Sequence, residues 1–367
     1  MNSRALKIAS MTLLLFAFVY SAVGFYRLAV SDQFPFACDL KLRWSEGSVL
    51  SAGKDPTVFS DPKPNYPPWS YAMGLLLVPP LPEYVMRTYF AVLNLFALAY
   101  LIYVSGKTYK ASGALLIACG LIFSSMAYLY CLSTGQYGIL ITAFLAAGLR
   151  FSRAGKPAWA GLAFALALIK PQLSILFLTI PLIHRQWRTL LSTSLWIFLF
   201  TAVTMLITSV NPFTMLVNAA NNAKTFMVQS QGLMSLLPSD NGTALLTYTA
   251  ICFIIFSATM YAARSLDLSL LCAISAVFSL LWTYHKAYDN ILLFFLVTAV
   301  IRTAESAKNV FAPYLAIGIG IFFAIPIPVS AHNITAINIA ESLLTTGTLY
   351  YIFICSAKDE NRAQNLS

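Results

Sequence analysis

The chain consists largely of long apolar segments separated by short polar turns, and this pattern restricts the folds open to it. A helix of about 20 apolar residues crosses the hydrocarbon core of a bilayer. Because 59% of the residues are apolar and only 10% are charged, a soluble fold would leave a large apolar surface in water. The sequence therefore predicts an all-α fold, a polytopic membrane helix bundle that forms a single integral membrane domain over residues 1–367.

The apolar segments, and the basic residues between them, indicate about 12 membrane passages with both termini in the cytoplasm. The segments run over 5–28, 68–81, 84–105, 111–131, 137–149, 158–169, 171–183, 189–210, 243–263, 268–284, 290–301, 310–330 and 334–355. Segment 68–81 is short and bounded by prolines, so we expect it to dip into the membrane without crossing it. We expect 158–183 to be a hairpin of two short helices that turns at Lys170 and Pro171. In the alternative topology 68–81 crosses and 158–183 is one helix, which leaves basic residues of two short loops outside.

This topology places the polar segments on the outer face of a plasma (inner) membrane, facing the periplasm or the exterior. They are the first loop (29–67), residues 133–138, the turn at Lys170, residues 284–290 and a second long loop (211–242). The N-terminal apolar segment is interpreted as an uncleaved first helix because no small-residue cleavage site follows it; a cleaved signal peptide is the alternative.

Composition also excludes several function classes. The net charge is +10, but Lys and Arg fall in short clusters rather than on one basic face, so nucleic acid is not a predicted partner. The six cysteines lack paired spacing, which argues against a disulfide framework and a metal cluster. There is no Gly-rich phosphate loop and no His-Glu-x-x-His motif, so the sequence predicts neither a cofactor nor a metal.

Asp39 in the first loop is the candidate catalytic residue. The loop holds five of the chain's 13 acidic residues, which concentrates carboxylates directly after the first membrane helix. A carboxylate within hydrogen-bond reach of an acceptor hydroxyl can act as a general base without a metal. The alternative is that Asp39 is a solvated loop carboxylate or a helix cap.

Further candidate residues lie in the other polar segments. Lys170 stands alone among apolar residues beside a proline, where an intramembrane charge commonly faces a cavity or an anion; snorkelling to the interface is the alternative. His285, Lys286 and Asp289 could present a proton carrier, a cation and an acceptor together, although a lone histidine is more often structural. Gln136, in a tight polar turn, could bind sugar hydroxyls or serve only the turn.

The order of these motifs resembles a known superfamily. This order is similar to that of the GT-C integral membrane glycosyltransferases. The motifs are Asp39 after the first helix, Asn65-Tyr66-Pro67-Pro68, Gly135-Gln136, Ile169-Lys170-Pro171 and Trp282-Thr283-Tyr284-His285. The resemblance is greatest to glycosyltransferase family 87, the polyprenyl-phosphate-mannose-dependent α-mannosyltransferases, over about the first 190 residues. It implies a GT-C-like bundle whose outward-facing active site is formed by the first loop, with Asp39 as the base. The residues after Asp39, Leu40-Lys41-Leu42-Arg43, depart from the family's aromatic pattern.

The predicted activity is transfer of a hexose, with mannose as the expected sugar, from a polyprenyl-phosphate donor to a glycolipid or polysaccharide acceptor. The chemistry is expected to be inverting and metal-independent. The candidates to stabilise the leaving phosphate are Lys170, His285, Lys286 and Arg43. Lys41, Tyr66, Gln136 and Asp289 complete the predicted substrate-binding set, and membrane lipids are the expected surroundings. The competing predictions are a transporter or flippase of a lipid-linked saccharide, and a non-catalytic scaffold.

Overall fold

The computed structural model describes residues 3–31, 37–108, 125–227, 242–283, 285–306 and 334–364, together with the single residues 123, 234 and 237. Within these residues the chain is helical and contains no strand, which confirms the predicted all-α class. The helices, numbered in chain order, are α1 Ser3–Ala29, α2 Cys38–Ser51, α3 Pro56–Phe59, α4 Pro68–Leu77, α5 Glu83–Thr108, α6 Met126–Thr134, α7 Gly138–Arg153, α8 Pro157–Ala167, α9 Pro171–Ser174, α10 Thr179–Ile183, α11 Trp187–Thr208, α12 Pro212–Met227, α13 Gly242–Ala262, α14 Leu268–Leu281, α15 Phe294–Ser306 and α16 Ile334–Gln364. Two 3₁₀ segments, Ile175–Leu178 and Ala287–Leu293, precede α10 and α15.

Three of the described helices are long and apolar enough to cross a membrane, namely Glu83–Ser105, Trp187–Thr208 and Gly242–Ala262. The pair α6 and α7 also meets this test when taken together, with a bend of 107° between them. The predicted passages 5–28, 158–169, 171–183, 268–284 and 334–355 correspond to shorter apolar helices. The passage over 310–330 and residues 111–122 of the passage over 111–131 fall outside the described residues. The count of about 12 passages stays a prediction.

Two polar segments predicted as loops contain helices. The first loop includes α2, which has 14 residues, and the second long loop begins with α12, which has 16. The predicted breaks next to prolines are present: α4 has only 10 residues and begins at Pro68, and the chain leaves helix at Leu168 and re-enters it at Pro171. Proline fits the first turn of a helix because the missing N–H has no partner there anyway.

The chain divides into two compact units. The first comprises Met1–Ala22, Leu101–Tyr130 and Ser230–Ser367, and the second comprises Val23–Tyr100 and Cys131–Gln229. In the first unit α14 packs against α13, α15 and α16, and nearly all of its side chains are buried. This largely apolar helix is the core of that unit.

In the second unit α8 packs between α7 and α11, and α11 continues onto α4, which in turn contacts α2. Glycine permits the closest of these approaches. A Cβ added at Gly161 of α8 would lie 2.3 Å from Ser192 Oγ and 2.7 Å from the Ser192 carbonyl carbon in α11. Gly148 of α7 faces the ring of Phe164 in α8 in the same way, at 3.0 Å. This layered packing fixes α4 and the turn at Lys170 relative to α2.

Candidate active site

The candidate site is built on one face of α2. Asp39, Arg43 and Glu46 occupy positions i, i+4 and i+7 of this helix, a spacing that places all three side chains on the same side. Asp39 lies in the first turn, where the positive end of the helix dipole favours a carboxylate. Ala37 precedes the helix in a left-handed conformation with φ 52°, and its N–H donates to Ser133 O at 2.8 Å. The start of α2 is thus tied to the end of α6.

A narrow pocket lies beside this face in the second unit. Its walls come from α2, the start of α4, the turn before α7 and the turn after α8. The lining residues are Arg43, Glu46, Gly47, Tyr66, Ser70, Tyr71, Gly74, Tyr137 and Ile169. Asp39 lies one helical turn from Arg43 and outside this lining.

Arg43 is the cation of the pocket. Its Nη2 lies 2.8 Å from Glu46 Oε1, and the two side chains are only 12% and 7% exposed. The guanidinium carbon stands 4.3 Å from the ring centroid of Tyr66, the distance of a cation–π contact. Arg43 Nη1 and Glu46 Oε1 are buried without an aligned hydrogen-bond partner among the described residues. The pair is therefore in ionic contact but leaves buried hydrogen-bonding capacity unsatisfied.

Burial controls the ionisation of this pair. Removal from water raises the pKa of Glu46 to about 7, although the neighbouring Arg43 acts in the opposite direction. Burial also acts to lower the pKa of Arg43, but Glu46, Tyr66, Tyr137 and Asp39 outweigh it, so the pKa rises overall. Arg43 consequently remains charged, while Glu46 can exchange a proton near neutral pH.

Hydrogen bonds hold two of the predicted polar segments against the pocket. Trp69 Nε1 donates to Leu168 O at 2.8 Å, and Ser70 Oγ donates to Ile169 O at 2.9 Å, which joins the start of α4 to the turn at Lys170. Lys170 itself is buried at this turn. The structure therefore brings segment 68–81 against the turn at Lys170, and Tyr66 of the first loop lines the same pocket as Ile169.

The turn at 135–138 is the third segment at this site. Gly135 has φ +77°, and a Cβ added to it would lie 2.4 Å from Leu40 Cβ in α2. Gln136 is buried, its N–H donates to Cys131 O at 2.9 Å, and Tyr137 next to it lines the pocket. The glycine allows the turn to touch α2 between Asp39 and Lys41.

The second long loop also reaches the first. Asn222 of α12 donates to Pro64 O at 2.9 Å and to Thr57 O at 3.3 Å, and Asn218 donates to Thr57 Oγ1 at 3.2 Å. Asp55 accepts from Thr57 N at 2.8 Å and so caps α3. The side-chain amides of Asn218 and Asn222 stabilise the segment that leads from α3 to Tyr66.

Arg87 on α5 is a buried charge that the sequence analysis did not select. Its Nε donates to Leu28 O at 2.7 Å, and its Nη2 donates to the carbonyls of Arg27 and Ser31. A cation at these carbonyls complements the negative end of the α1 dipole. Arg87 thereby fixes the point at which α1 ends and the first loop begins.

Two other groups of predicted residues lie elsewhere. Lys41 forms a half-exposed ion pair with Glu83 at 2.8 Å and does not line the pocket. His285, Lys286 and Asp289 belong to the first unit, where Lys286 N–H donates to Asp289 Oδ2 at 3.0 Å and caps the 3₁₀ segment. His285 and Asp289 are buried. Asp289 thus has a structural role within its own segment.

Glu46, Ser70, Tyr71 and Tyr137 line the pocket, although the sequence analysis assigned no role to them. The spacing of Asp39, Arg43 and Glu46 could have indicated that Glu46 shares a face with the other two residues. That inference required a helix within the first loop. In the part of the chain that the structure describes, no three His, Cys, Asp or Glu side chains are grouped closely enough to hold a metal ion.

The model of glycosyltransferase family 87 matches residues 65–284, more than half of the chain. The chain belongs to glycosyltransferase family 87. The resemblance predicted from the sequence is confirmed, and the protein is a membrane glycosyltransferase. The matched region is shifted from the one expected: it contains Tyr66, Gln136 and Lys170, extends well past residue 190, and begins after Asp39.

Among solved structures, ArnT from Cupriavidus metallidurans in the apo state is similar to this family 87 chain with a TM-score of 0.40 and 16% sequence identity. The alignment covers 95% of this chain and 75% of that one. No curated protein matches the chain.

Proposed function

We propose that this family 87 enzyme transfers a hexose, with mannose as the first candidate, from a polyprenyl-phosphate donor to a glycolipid or polysaccharide acceptor. The reaction is assigned to the outer face of the plasma membrane. One observation carries the proposal: a carboxylate and a buried arginine stand one helical turn apart on α2, with a pocket beside the arginine. This pair offers a base for the acceptor and a cation for the donor's phosphate.

In the proposed mechanism Asp39 accepts the proton of the acceptor hydroxyl as that oxygen attacks the anomeric carbon. The new carbon–oxygen bond forms on the face opposite the phosphate, the bond from the anomeric carbon to the phosphate oxygen breaks, and the configuration inverts. The leaving polyprenyl phosphate takes the electron pair, so it requires positive charge rather than a proton. Arg43 is the cation next to the base, and Lys170 is a further candidate within the same unit.

The remaining proposed contacts concern the sugar and its phosphate. Tyr66 presents a ring in the pocket that already stacks on Arg43, and Gln136 lies buried in the adjoining turn. Lys41 would have to leave Glu83 before it could bind a substrate. Because the donor carries a single phosphate, an arginine can replace the metal that a pyrophosphate donor requires, and we propose metal-independent transfer.

The test is transfer of radiolabelled sugar from synthetic polyprenyl-phosphate-mannose in membranes that contain a chelator. Wild type is expected to label a lipid-soluble or polymeric product, and Asp39→Asn is expected to lower the rate by at least about 100-fold, as for loss of a general base. Asp61→Asn is the matched control, since Asp61 is an exposed carboxylate of the same loop. Equal loss in both variants would refute the assignment of Asp39.

If wild type transfers no mannose, glucose, galactose and arabinose donors are tested in the same membranes. Failure with every donor would contradict the proposed donor class. Movement of intact lipid-linked saccharide across the membrane without transfer would instead indicate a flippase.

A further inference from the structure

We infer that Glu46 is the resting counterion of Arg43 and that the phosphate of an incoming donor displaces it. The inference rests on the proposed function, because it assumes a phosphate-linked donor. It adds a residue that neither the sequence motifs nor the family match assigns, since Glu46 lies before the matched region.

The geometry supports an exchange of partners. Arg43 is in contact with Glu46 at 2.8 Å through Nη2, while Nη1 has no hydrogen-bond partner among the described residues. Nη1 is itself buried, so its donor capacity is unused at rest. A phosphate that reaches the pair would satisfy this donor with one oxygen, and a second oxygen could then take the place of the carboxylate. Arginine favours such bidentate contact with phosphate over a single misaligned contact with a carboxylate.

Tyr66 keeps the Arg43 guanidinium in position while Arg43 exchanges Glu46 for the phosphate. Its ring packs on the guanidinium at 4.3 Å, and its own carbonyl accepts from Tyr71 Oη at 3.2 Å. The Tyr66 ring therefore keeps the guanidinium plane of Arg43 in position by packing on one of its faces. The anionic partner changes at the N–H edge of the guanidinium. Preorganised charge of this kind binds an anion with little rearrangement.

Displacement leaves Glu46 with a charge that the pocket cannot accommodate. A buried carboxylate that has lost its cation is strongly destabilised, and it responds by taking a proton from water. Burial already raises the pKa of Glu46 to about 7 while Arg43 is present. With the phosphate in place the pKa moves higher, so donor binding at neutral or alkaline pH takes up one proton at Glu46.

Other ionisable groups surround the Arg43–Glu46 pair in the described part of the chain. They are Asp39 on the same helix, Asp55 at the start of α3, Tyr66 and Tyr71 beside and within α4, and Tyr137 before α7. Burial raises the pKa of Tyr71 well above its usual range, and Asp55 is engaged by Thr57 as a helix cap. Asp39 is proposed to act on the acceptor, so its substitution is expected to change kcat rather than donor KM.

The experiment measures donor KM and kcat separately at saturating acceptor, from pH 6 to 9, with synthetic polyprenyl-phosphate-mannose. The donor is a phosphodiester and has no second ionisation near neutrality. Above pH 7, where Glu46 is charged in the free enzyme, wild-type KM is expected to rise by up to about tenfold per pH unit. A KM that is constant from pH 6 to 9 would overturn the inference without any variant.

Two variants separate charge from structure. Glu46→Gln keeps the shape without the charge, so its KM is expected to be independent of pH and about tenfold below wild type at pH 8.5. Glu46→Asp retains the charge and the rise with pH, and it decides the matter if the glutamine variant does not accumulate. Asp61→Asn is the matched control, since Asp61 is an exposed carboxylate of the same loop. It should keep the wild-type profile.

The outcomes are distinguishable. A wild-type enzyme that transfers sugar while Glu46→Gln retains the rise of KM with pH would refute the role of Glu46 and leave the proposed function standing. A wild-type enzyme that transfers from no phosphate-linked donor would remove the proposed function, and the inference with it.

Discussion

Gly135 provides a direct test of how the turn before α7 supports the base. It has φ +77°, a conformation that costs a residue with a side chain about 1–2 kcal/mol. In addition, an alanine Cβ would lie 2.4 Å from Leu40 Cβ, a backbone-proximal atom that cannot rotate away. Relief of such overpacking costs typically about 1–3 kcal/mol. Gly135→Ala is therefore expected to lower the free energy of unfolding by about 2–5 kcal/mol.

Gly155 separates the two causes. It also has a positive φ of +68°, but a Cβ there meets nothing within 4 Å. Gly155→Ala is expected to cost only the conformational part, about 1–2 kcal/mol. Both variants would be compared by thermal inactivation in detergent and by transferase rate, because a displaced Leu40 moves its neighbour Asp39.

Only Gly135→Ala is expected to lose activity beyond its loss of stability. Adding Leu40→Ala to Gly135→Ala should not restore stability or activity, because alanine at position 40 keeps the Cβ atom that clashes. Equal destabilisation and equal activity in the two glycine variants would refute the claim that the turn touches α2.

Two further predictions concern residues outside the pocket. Arg87→Met removes the cation from three carbonyls at the end of α1 and is expected to cost about 3 kcal/mol or more, measured as thermal inactivation, with Arg87→Lys recovering only part of it. Asp267→Ala should cost about 1 kcal/mol because Asp267 caps α14. Arg302→Ala, which removes only the half-exposed ion pair to Asp267, should cost well under 1 kcal/mol. A larger effect of Arg302→Ala than of Asp267→Ala would contradict this order.

Hydropathy and the order of the motifs predicted the all-α class and the family. These features depend on patterns that are local in the sequence, such as the proline next to Lys170 and the glycine at 135. The helix over 38–51 was not predicted, because its few apolar residues were judged as loop composition. Its propensity is modest, and packing on α4 and α11 stabilises it.

The contact partners of individual side chains could not be predicted either, because tertiary packing decides them. Lys41 pairs with Glu83 on α5, and Thr57 accepts from amides of α12 more than 150 residues later in the chain. Such pairs are decided by tertiary packing, which no local motif encodes. Glu46 could have been found, because once α2 is treated as a helix its position relative to Arg43 is fixed.

In the proposed inverting mechanism Asp39 is the base and Arg43 is the phosphate-binding cation, and one helix holds the two residues at a fixed spacing. In such a reaction the acceptor oxygen, the anomeric carbon and the leaving oxygen lie roughly in line, so the base and the phosphate-binding cation must face each other across one carbon. Four residues of helix separate the two positions by about 6 Å along the axis, a distance that is set by backbone hydrogen bonds. Lys170 lies on a separate turn, so its distance from Asp39 depends on packing. In the proposed mechanism the fixed spacing of base and cation preserves the in-line geometry while the rest of the pocket adapts to different acceptors.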